Sequence, residues 1–160
     1  RSRGQKNART NEMTMKASQR EAALGALFTL LDGLPLQPNA IRRNSSLPER
    51  LSEHAMVFLR DGDMTQVDVT LSPVTYLWEH AASIEIYVAH PEASARDARM
   101  DELLQALGTL ILADPTLAGQ IDHAEVMPPK FEDVTPDGSV GIKACTLDVV
   151  MHYASSHPLA

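Results

Sequence analysis

The sequence lacks several features that define large classes of protein. It has a single cysteine, Cys145, which excludes an internal disulfide and a cysteine-based zinc site. Aromatic residues make up only 4% of the chain, so the core must consist mainly of Leu, Ile, Val, Ala and Met. No run approaches the roughly 20 apolar residues that cross a bilayer, and the N-terminus has no apolar segment typical of a signal peptide. We therefore expect a soluble protein made in the cytoplasm.

Motifs for catalysis or cofactor binding are also missing. The eight glycines are scattered, which leaves no phosphate-binding loop, and no Gly-x-Ser-x-Gly nucleophile motif occurs. None of the six histidines has the His-x-His or i, i+4 spacing that concentrates imidazoles on a metal. Acidic pairs such as Asp101-Glu102 are typical of a solvated surface, and Cys145 lies at an apolar position of a predicted strand. The sequence therefore predicts no enzyme activity, no cofactor and no metal site.

Charge is unevenly distributed along the chain, whose net charge is −7. Residues 1–20 carry six basic side chains and one acidic side chain, whereas the remaining 140 residues carry eight basic and 20 acidic side chains. A basic N-terminal arm, residues 1–17, thus precedes an acidic single domain, residues 18–160. The arm is either a solvated leader ahead of Met15 or an extension that binds an acidic neighbour or nucleic acid, and we favour a bound arm. The domain has too little clustered positive charge for a nucleic-acid-binding face.

Two segments have the periodicity of amphipathic helices. Ser18 and Glu21 form a capping box at the start of the first helix. The second helix is predicted from about Ser94 to Ala113 and has an apolar stripe along one face. Each helix contains an internal glycine, Gly25 or Gly108, which predicts a close approach of its backbone to the sheet or to the other helix.

The remaining apolar segments alternate in the way typical of strands. The longest, thirteen residues from Tyr76 to Val88, would extend about 43 Å, whereas a common strand has about 5 to 6 residues. Asp61-Gly62 predicts a turn between two short strands, and residues 128–141 predict a loop. The other predicted strands are Ala40–Arg43, Met56–Leu59, Val67–Leu71, Ile121–Met127 and Ile142–Tyr153. This order of elements predicts an α+β fold, with a mainly antiparallel β-sheet, two helices packed on one face and long projecting strands.

The chain resembles tail terminators, the small tail-completion proteins of long-tailed phages, prophages and gene transfer agents. The resemblance covers about residues 16–160 and lies in the order of the segments SQREAALGALFTLL, VFLRDGD, VTLSPVTYLWEHAASIEI, ARDARMDELLQALGTLILADPTLAG and HYASSHPLA. It implies a tail-terminator-like fold and a hexameric ring that caps the tail tube, ends its polymerisation and joins the tail to the neck. The family has no catalytic residues to transfer to this chain.

The resemblance also implies partners and a location. The ring would contact the tail tube protein on one side and a neck or head–tail connector protein on the other. DNA would pass through the lumen without specific binding, and no membrane would be involved. The protein would lie at the tail–neck junction of the virion after assembly in the host cytoplasm.

The sequence agrees with a ring, because a projecting strand leaves backbone N–H and C=O groups that a neighbouring subunit can pair. We expect subunit or partner contacts through Tyr76, Trp78, His80, Arg42, Arg43, Arg1, Arg3, Lys6 and Arg9. We expect the acidic residues Asp61, Asp63 and Glu79 to line the lumen, where they would repel duplex DNA. The substitution Trp78→Asp should then block assembly more than it destabilises the fold.

Two alternatives stay open at this level. The chain could be another neck or head–tail connector protein or a relative of the tail-tube protein, which would share the sheet but stack differently. It could instead be a cytosolic binding module, for which we expect a monomer or dimer with a concave apolar pocket.

Overall fold

The computed structural model describes residues 15–48, 51, 54–134 and 140–160. Two helices cover one face of a six-stranded sheet that is antiparallel except for one strand pair, which confirms the predicted α+β fold. The helices are α1 (Gln19–Leu31) and α2 (Ala93–Ala113). The strands are β1 (Ile41–Arg43), β2 (Ala55–Thr70), β3 (Thr75–Ala89), β4 (His123–Val126), β5 (Lys130–Val134) and β6 (Ile142–Ser155).

The sheet is built around two long antiparallel neighbours, β3 and β6. They pair along their whole length, from Tyr76 opposite Ser155 to Ala89 opposite Ile142. β2 lies on the other side of β3, and the short β1 runs parallel to the start of β2. β4 and β5 both pair with β6, so that they share the opposite edge of the sheet. The two long strands predicted from the sequence, Tyr76–Val88 and Ile142–Tyr153, are thus direct neighbours.

The core lies between the helices and one face of the sheet. Even-numbered residues of β3 and odd-numbered residues of β6 face the helices, which present four buried side chains each. Aliphatic residues dominate this core, as the low aromatic content predicts. The helix residues that contribute are Ala23, Leu24, Leu27 and Leu31 from α1 and Met100, Leu103, Leu107 and Ile111 from α2.

The predicted start of α1 is confirmed, but the prediction for the helical glycines is wrong. The Ser18 hydroxyl accepts a hydrogen bond from the Glu21 amide at 3.2 Å and so caps the helix. A Cβ built at Gly25 or Gly108 would meet no heavy atom within 4 Å outside its own helix backbone. Neither glycine is therefore required by a close approach, and Gly25 instead borders an open groove between α1 and α2.

The predicted turn at Asp61-Gly62 is also wrong, because β2 continues through it as one 16-residue strand. The pairing register with β3 shifts between Arg60 and Asp63, which marks a β-bulge. Gly62 has φ +67°, and a Cβ there would lie 1.8 Å from the Ala81 carbonyl oxygen. The glycine therefore serves a bulge within a strand and not a hairpin turn.

The segment predicted as a loop at 128–141 contains β5, which pairs with β6. Every residue of β5 is exposed, so its side chains lack the apolar alternation by which a buried strand is recognised. The strand is formed by backbone pairing with β6, which the local sequence does not specify.

Candidate assembly surface

β2 leaves the core part-way along its length. Its first five residues, Ala55–Leu59, are buried, whereas the residues from Asp63 to Thr70 are exposed or half-buried. β1 pairs only with Val57–Leu59. The Asp61 amide donates to the Asn44 side chain. From Gly62 to Thr70, the outer edge of β2 pairs with no other strand in the described part of the chain. We call residues 62–70 the open edge.

From its length, we expected β3 to be the projecting strand with unpaired backbone groups, but the unpaired edge belongs to β2. β3 is flanked by β2 and β6 over nearly its whole length, so its own backbone groups are paired within the chain. The turn that joins β2 to β3 carries exposed apolar side chains: Leu71 is 78% exposed and Val74 is 47% exposed. This turn, residues 71–74, is the hairpin tip. Exposed apolar groups beside an unpaired strand edge are typical of a protein–protein contact.

A second exposed apolar patch lies on the opposite edge of the sheet. It is formed by side chains of β4, β5 and the segment that connects them, each between 42% and 52% exposed. Val126 and Phe131 point to the helix side of this edge, and Val134 points to the other side. We call it the β4–β5 patch, and it consists of Val126, Met127, Phe131 and Val134. The molecule thus presents two different apolar surfaces on opposite edges of one sheet.

The face of the sheet that the helices do not cover is acidic around β3 and β6. Odd-numbered residues of β3 point to this side, together with their partners on β2, β6 and β4. Lysine and arginine are absent from residues 61–83, 115–129 and 144–160 of the sequence, and two basic residues, Arg60 and Lys130, lie at the border of this surface. We call this surface the acidic face, and its exposed carboxylates are Asp63, Asp68, Glu79, Glu125 and Asp148.

Two of the three residues predicted to line a lumen, Asp63 and Glu79, lie on the acidic face. The third, Asp61, points to the helix side, where Arg43 Nε donates to its carboxylate at 2.8 Å. The same guanidinium donates to both carboxylate oxygens of Glu21 at 2.5 and 2.9 Å. These bonds lower the pKa of both carboxyls, with the Arg43 hydrogen bond as the largest cause in each case. Arg43 therefore ties the start of α1 to the beginning of the open edge.

His80 and Trp78, predicted as subunit contacts, are buried within the chain. His80 is fully buried, and one ring nitrogen faces the Asp61 carbonyl while the other lies 2.8 Å from the Tyr153 hydroxyl. Trp78 is 8% exposed, and its indole nitrogen donates to the Ser155 hydroxyl at 2.9 Å. An aspartate at position 78 would bury a charge, so we now expect Trp78→Asp to destabilise the fold itself. Tyr76 is half-buried and stacks on Trp78.

The other predicted contact residues lie elsewhere. Arg42 sits on β1 opposite Phe58, and its Nε donates to the Asn39 carbonyl. Arg1, Arg3, Lys6 and Arg9 lie outside the described residues. The sequence reasoning missed Leu71 and Val74, although two apolar side chains around a Ser-Pro turn are a signal that could have identified them.

Within the described residues, no group of three or more His, Cys, Asp or Glu side chains could hold a metal ion. None of the described helices has the length and apolar character needed to span a membrane. Burial raises the pKa of the Cys145 thiol, which makes its reactive thiolate less accessible. A groove of about 690 Å³ lies between α1 and α2 and is bordered by small side chains such as Ala22, Gly25 and Ala26.

No protein-family model matches this chain, and no curated protein matches it. Solved structures do match, among them the sheath/tube terminator of an extracellular contractile injection system, PVC, in its extended state. The match has a TM-score of 0.40 and 15% sequence identity, and it covers 88% of this chain and 58% of that terminator. The chain thus spans less than two thirds of the length of the protein it matches.

Proposed function

We propose that this chain is a structural protein that forms a ring at the end of a phage-type tail tube and terminates the tube. The observation that carries the proposal is the open edge of β2 with its apolar hairpin tip. A strand edge of nine residues, about 30 Å long, is a site for pairing with another chain. A protein that exposes such an edge in one copy can close it in an assembly.

The two apolar surfaces favour contacts between unlike surfaces of successive copies. The hairpin tip and the β4–β5 patch lie on opposite edges of the sheet. When the hairpin tip of one copy contacts the β4–β5 patch of the next, the first copy keeps a free patch and the second copy keeps a free tip. Repetition of such a head-to-tail contact gives a closed ring when the rotation between copies permits it. We propose six copies, in keeping with the tail-terminator resemblance of the sequence.

The acidic face supplies the proposed lumen. Its five exposed carboxylates give this face an excess of negative charge, since Arg60 at its border is paired with Glu85 and Lys130 is the other basic residue beside it, and they would repel the phosphate backbone. DNA could then pass without being held. In this arrangement the ring would join the tail tube to a neck or head–tail connector protein at the tail–neck junction of the virion, and the chain would have no catalytic role.

A second candidate is a cytosolic binding module, and one observation favours it. The groove between α1 and α2 is concave and mostly apolar, as expected of a ligand site. A binding module of this kind would be monomeric or dimeric, so the assembly state separates it from the ring.

The test is electron microscopy and native mass spectrometry of the purified chain, alone and with tail tubes. We expect annular particles of six copies, on the tube end if not in free solution. The double substitution Leu71→Glu and Val74→Glu should abolish these particles and leave the thermal unfolding midpoint nearly unchanged, because both side chains are already exposed.

The matched control is Leu112→Glu on α2, since Leu112 is 84% exposed and lies away from the hairpin. This variant should still form rings. A wild-type chain that stays monomeric both alone and in the presence of tube ends would contradict the proposal.

A further inference from the structure

His80 is buried at the point where β2 leaves the core. Its side chain is fully buried, with one ring nitrogen facing the Asp61 carbonyl and the other 2.8 Å from the Tyr153 hydroxyl. Met64 of β2 lies directly opposite His80 of β3, so both side chains are on the helix side of the sheet. Asp61 precedes Gly62 at the bulge, and Met64 follows it. The imidazole is therefore enclosed in part by the open edge.

The surroundings of His80 disfavour a protonated imidazole. Burial is the largest cause that lowers the pKa of His80, while the hydrogen bond to the Asp61 carbonyl and the Asp61 charge act in the opposite direction. The positive charges of Arg20 on α1 and Arg43 on β1 lower this pKa further. Arg43 also binds the Asp61 carboxylate, which weakens the opposing effect of that charge. On β6, Tyr153 is uncharged, because burial raises its pKa to about 12. A second proton on the imidazole is therefore costly while His80 is shielded from water.

The open edge has few contacts with the molecule apart from its pairing with β3. All of its residues are exposed or half-buried, and Met64 is the one that packs against the core. Two register shifts interrupt the pairing with β3. The ion pair of Arg43 with Asp61 holds β2 directly before the open edge, and the buried residues Ala55–Leu59 hold the strand further back. A segment of this kind can separate locally while the rest of the fold persists.

We propose that the open edge separates from β3 when His80 binds a proton, and that the rest of the sheet stays folded. The proton comes from solvent and adds to the ring nitrogen that accepts from the Tyr153 hydroxyl. Displacement of Met64 gives the charged imidazole access to water, which removes the cost of burying it. The ion pair between Arg43 and Asp61 keeps the preceding part of β2 in place.

The direction of the pH effect follows from proton binding. The separated form binds a proton at His80 with the ordinary histidine pKa of about 6.5, whereas burial lowers this pKa in the paired form. The paired form is therefore fully favoured above about pH 6.5 and loses stability toward acid. The open edge would be a pairing surface at neutral pH and would be withdrawn in acid. The inference goes beyond the proposed function, because the strand can separate whatever the assembled protein does.

Hydrogen exchange of the full chain, in a monomeric sample, tests the proposal. After correction for the intrinsic pH dependence of exchange, the protection of the open-edge amides that bond to β3 should fall about eightfold between about pH 7 and pH 5.5. The amides of Ala55–Leu59 should change by less than about twofold. Glu21 and Asp61 stay ionised in this range, because their hydrogen bonds with Arg43 lower their pKa values, so they do not contribute to the change.

Three variants sharpen the measurement. His80→Gln should remove the pH dependence, because the amide side chain does not titrate but can still donate to the Asp61 carbonyl. His123→Gln, at an exposed position of β4, is the matched control and should keep the dependence. Tyr153→Phe serves if His80→Gln does not fold. Without the hydroxyl donor the imidazole accepts a proton more readily, so the loss of protection should begin at a higher pH.

Three results would overturn the proposal. One is open-edge protection that does not change with pH, and another is an equal pH dependence in the wild-type chain and His80→Gln. The third is an equal loss of protection at Ala55–Leu59, since the whole fold would then respond to the proton. These outcomes are separable from that of the ring experiment, because a chain that never forms rings can show the separation, and a chain whose open edge stays paired in acid can form rings.

Discussion

At the scale of single residues, the buried imidazole of His80 is held in one protonation state. The Asp61 carbonyl can only accept a hydrogen bond, so the facing Nε2 carries the proton. Nδ1 then accepts from the Tyr153 hydroxyl. Burial lowers the pKa of His80 and raises the pKa of Tyr153 to about 12, so both side chains are neutral at pH 7.

We expect the free energy of unfolding to fall as the pH drops below about 6.5, because the unfolded chain then binds a proton at position 80 that the folded chain disfavours. One such group contributes a slope approaching about 1.4 kcal/mol per pH unit between its folded and unfolded pKa values. The stability is therefore present above the unfolded pKa and is lost toward acid. Urea unfolding between pH 5.5 and 7.5 measures it.

The variant His80→Gln should lack this slope, whereas His152→Gln, at a half-buried position near Glu125, should keep it. The groups around His80 are Tyr153, Asp61, Arg43 and Arg20. Glu21 and Asp61, whose pKa values are lowered by Arg43, lose their stabilising contribution only at more acidic pH. Equal slopes in wild type and His80→Gln would contradict the assignment.

At the scale of elements, β2 is the strand that the described residues leave partly without a neighbour on its outer edge. It starts in the core, passes a bulge at Gly62 and continues as an exposed strand to Thr70. A second register shift lies between Gln66 and Asp68. Bulges raise the local twist and turn a strand out of line with its neighbours. The bulge at Gly62 occurs where the strand passes from buried to exposed residues.

We predict that Gly62→Ala destabilises the protein by about 2 kcal/mol or more, since it forces a side chain into a left-handed conformation and against a backbone oxygen. The Cβ would lie 1.8 Å from the Ala81 carbonyl oxygen, an atom that cannot rotate away. Chemical denaturation of the two proteins gives the difference.

The comparison variant is Gly108→Ala in α2, where an added Cβ meets nothing within 4 Å. It should raise the free energy of unfolding by about 0.5 to 1 kcal/mol, as alanine favours a helix interior over glycine. A tolerated alanine at position 62 would show that the bulge is not required.

At the scale of the whole molecule, charge is separated between surfaces and not merely along the chain. The acidic face carries five exposed carboxylates and the Arg60–Glu85 ion pair, whereas the ion pairs of Arg43 and Lys143 lie on the helix side of the sheet. The basic arm precedes the start of α1 in the sequence. A ring that turns the acidic face inward would therefore have a lumen of net negative charge.

We predict that the triple reversal Asp63→Lys, Glu79→Lys, Asp148→Lys raises the affinity of assembled rings for a short linear DNA duplex by about tenfold or more at low salt. The affinity should fall steeply with added salt, because each new phosphate contact releases counterions. Fluorescence anisotropy of labelled duplex measures both.

The control reverses the same number of charges on the helix side of the sheet, with the substitutions Asp32→Lys, Glu92→Lys and Asp101→Lys. These three residues are exposed but do not lie on the acidic face. In a ring whose lumen is the acidic face, the control should have the smaller effect on duplexes threaded through the ring. Equal effects would show that another surface lines the lumen.

The sequence alone was sufficient for those elements whose local pattern matches their environment. Ser18 and Glu21 placed the start of α1, and the apolar stripe placed α2 to within one residue at its start. The alternation of β3 and β6 identified both long strands. It failed for β5, which is exposed on all sides, and for Gly62, whose Asp-Gly pair suits a bulge as well as a turn.

The candidate assembly surface was less predictable, because strand order and edge exposure depend on which distant segments pair. The sequence by itself determined the α+β composition, the helix faces, the long strands and the separation of a basic arm from an acidic domain, since these follow from local periodicity and charge count. Only the tertiary structure decided that β3 is central and that β2 carries the open edge. It also decided that Trp78 and His80 are buried and that Asp61 forms an ion pair with Arg43. Backbone pairing between strands that are far apart in sequence sets these features, and no local pattern encodes which strand is left without a neighbour.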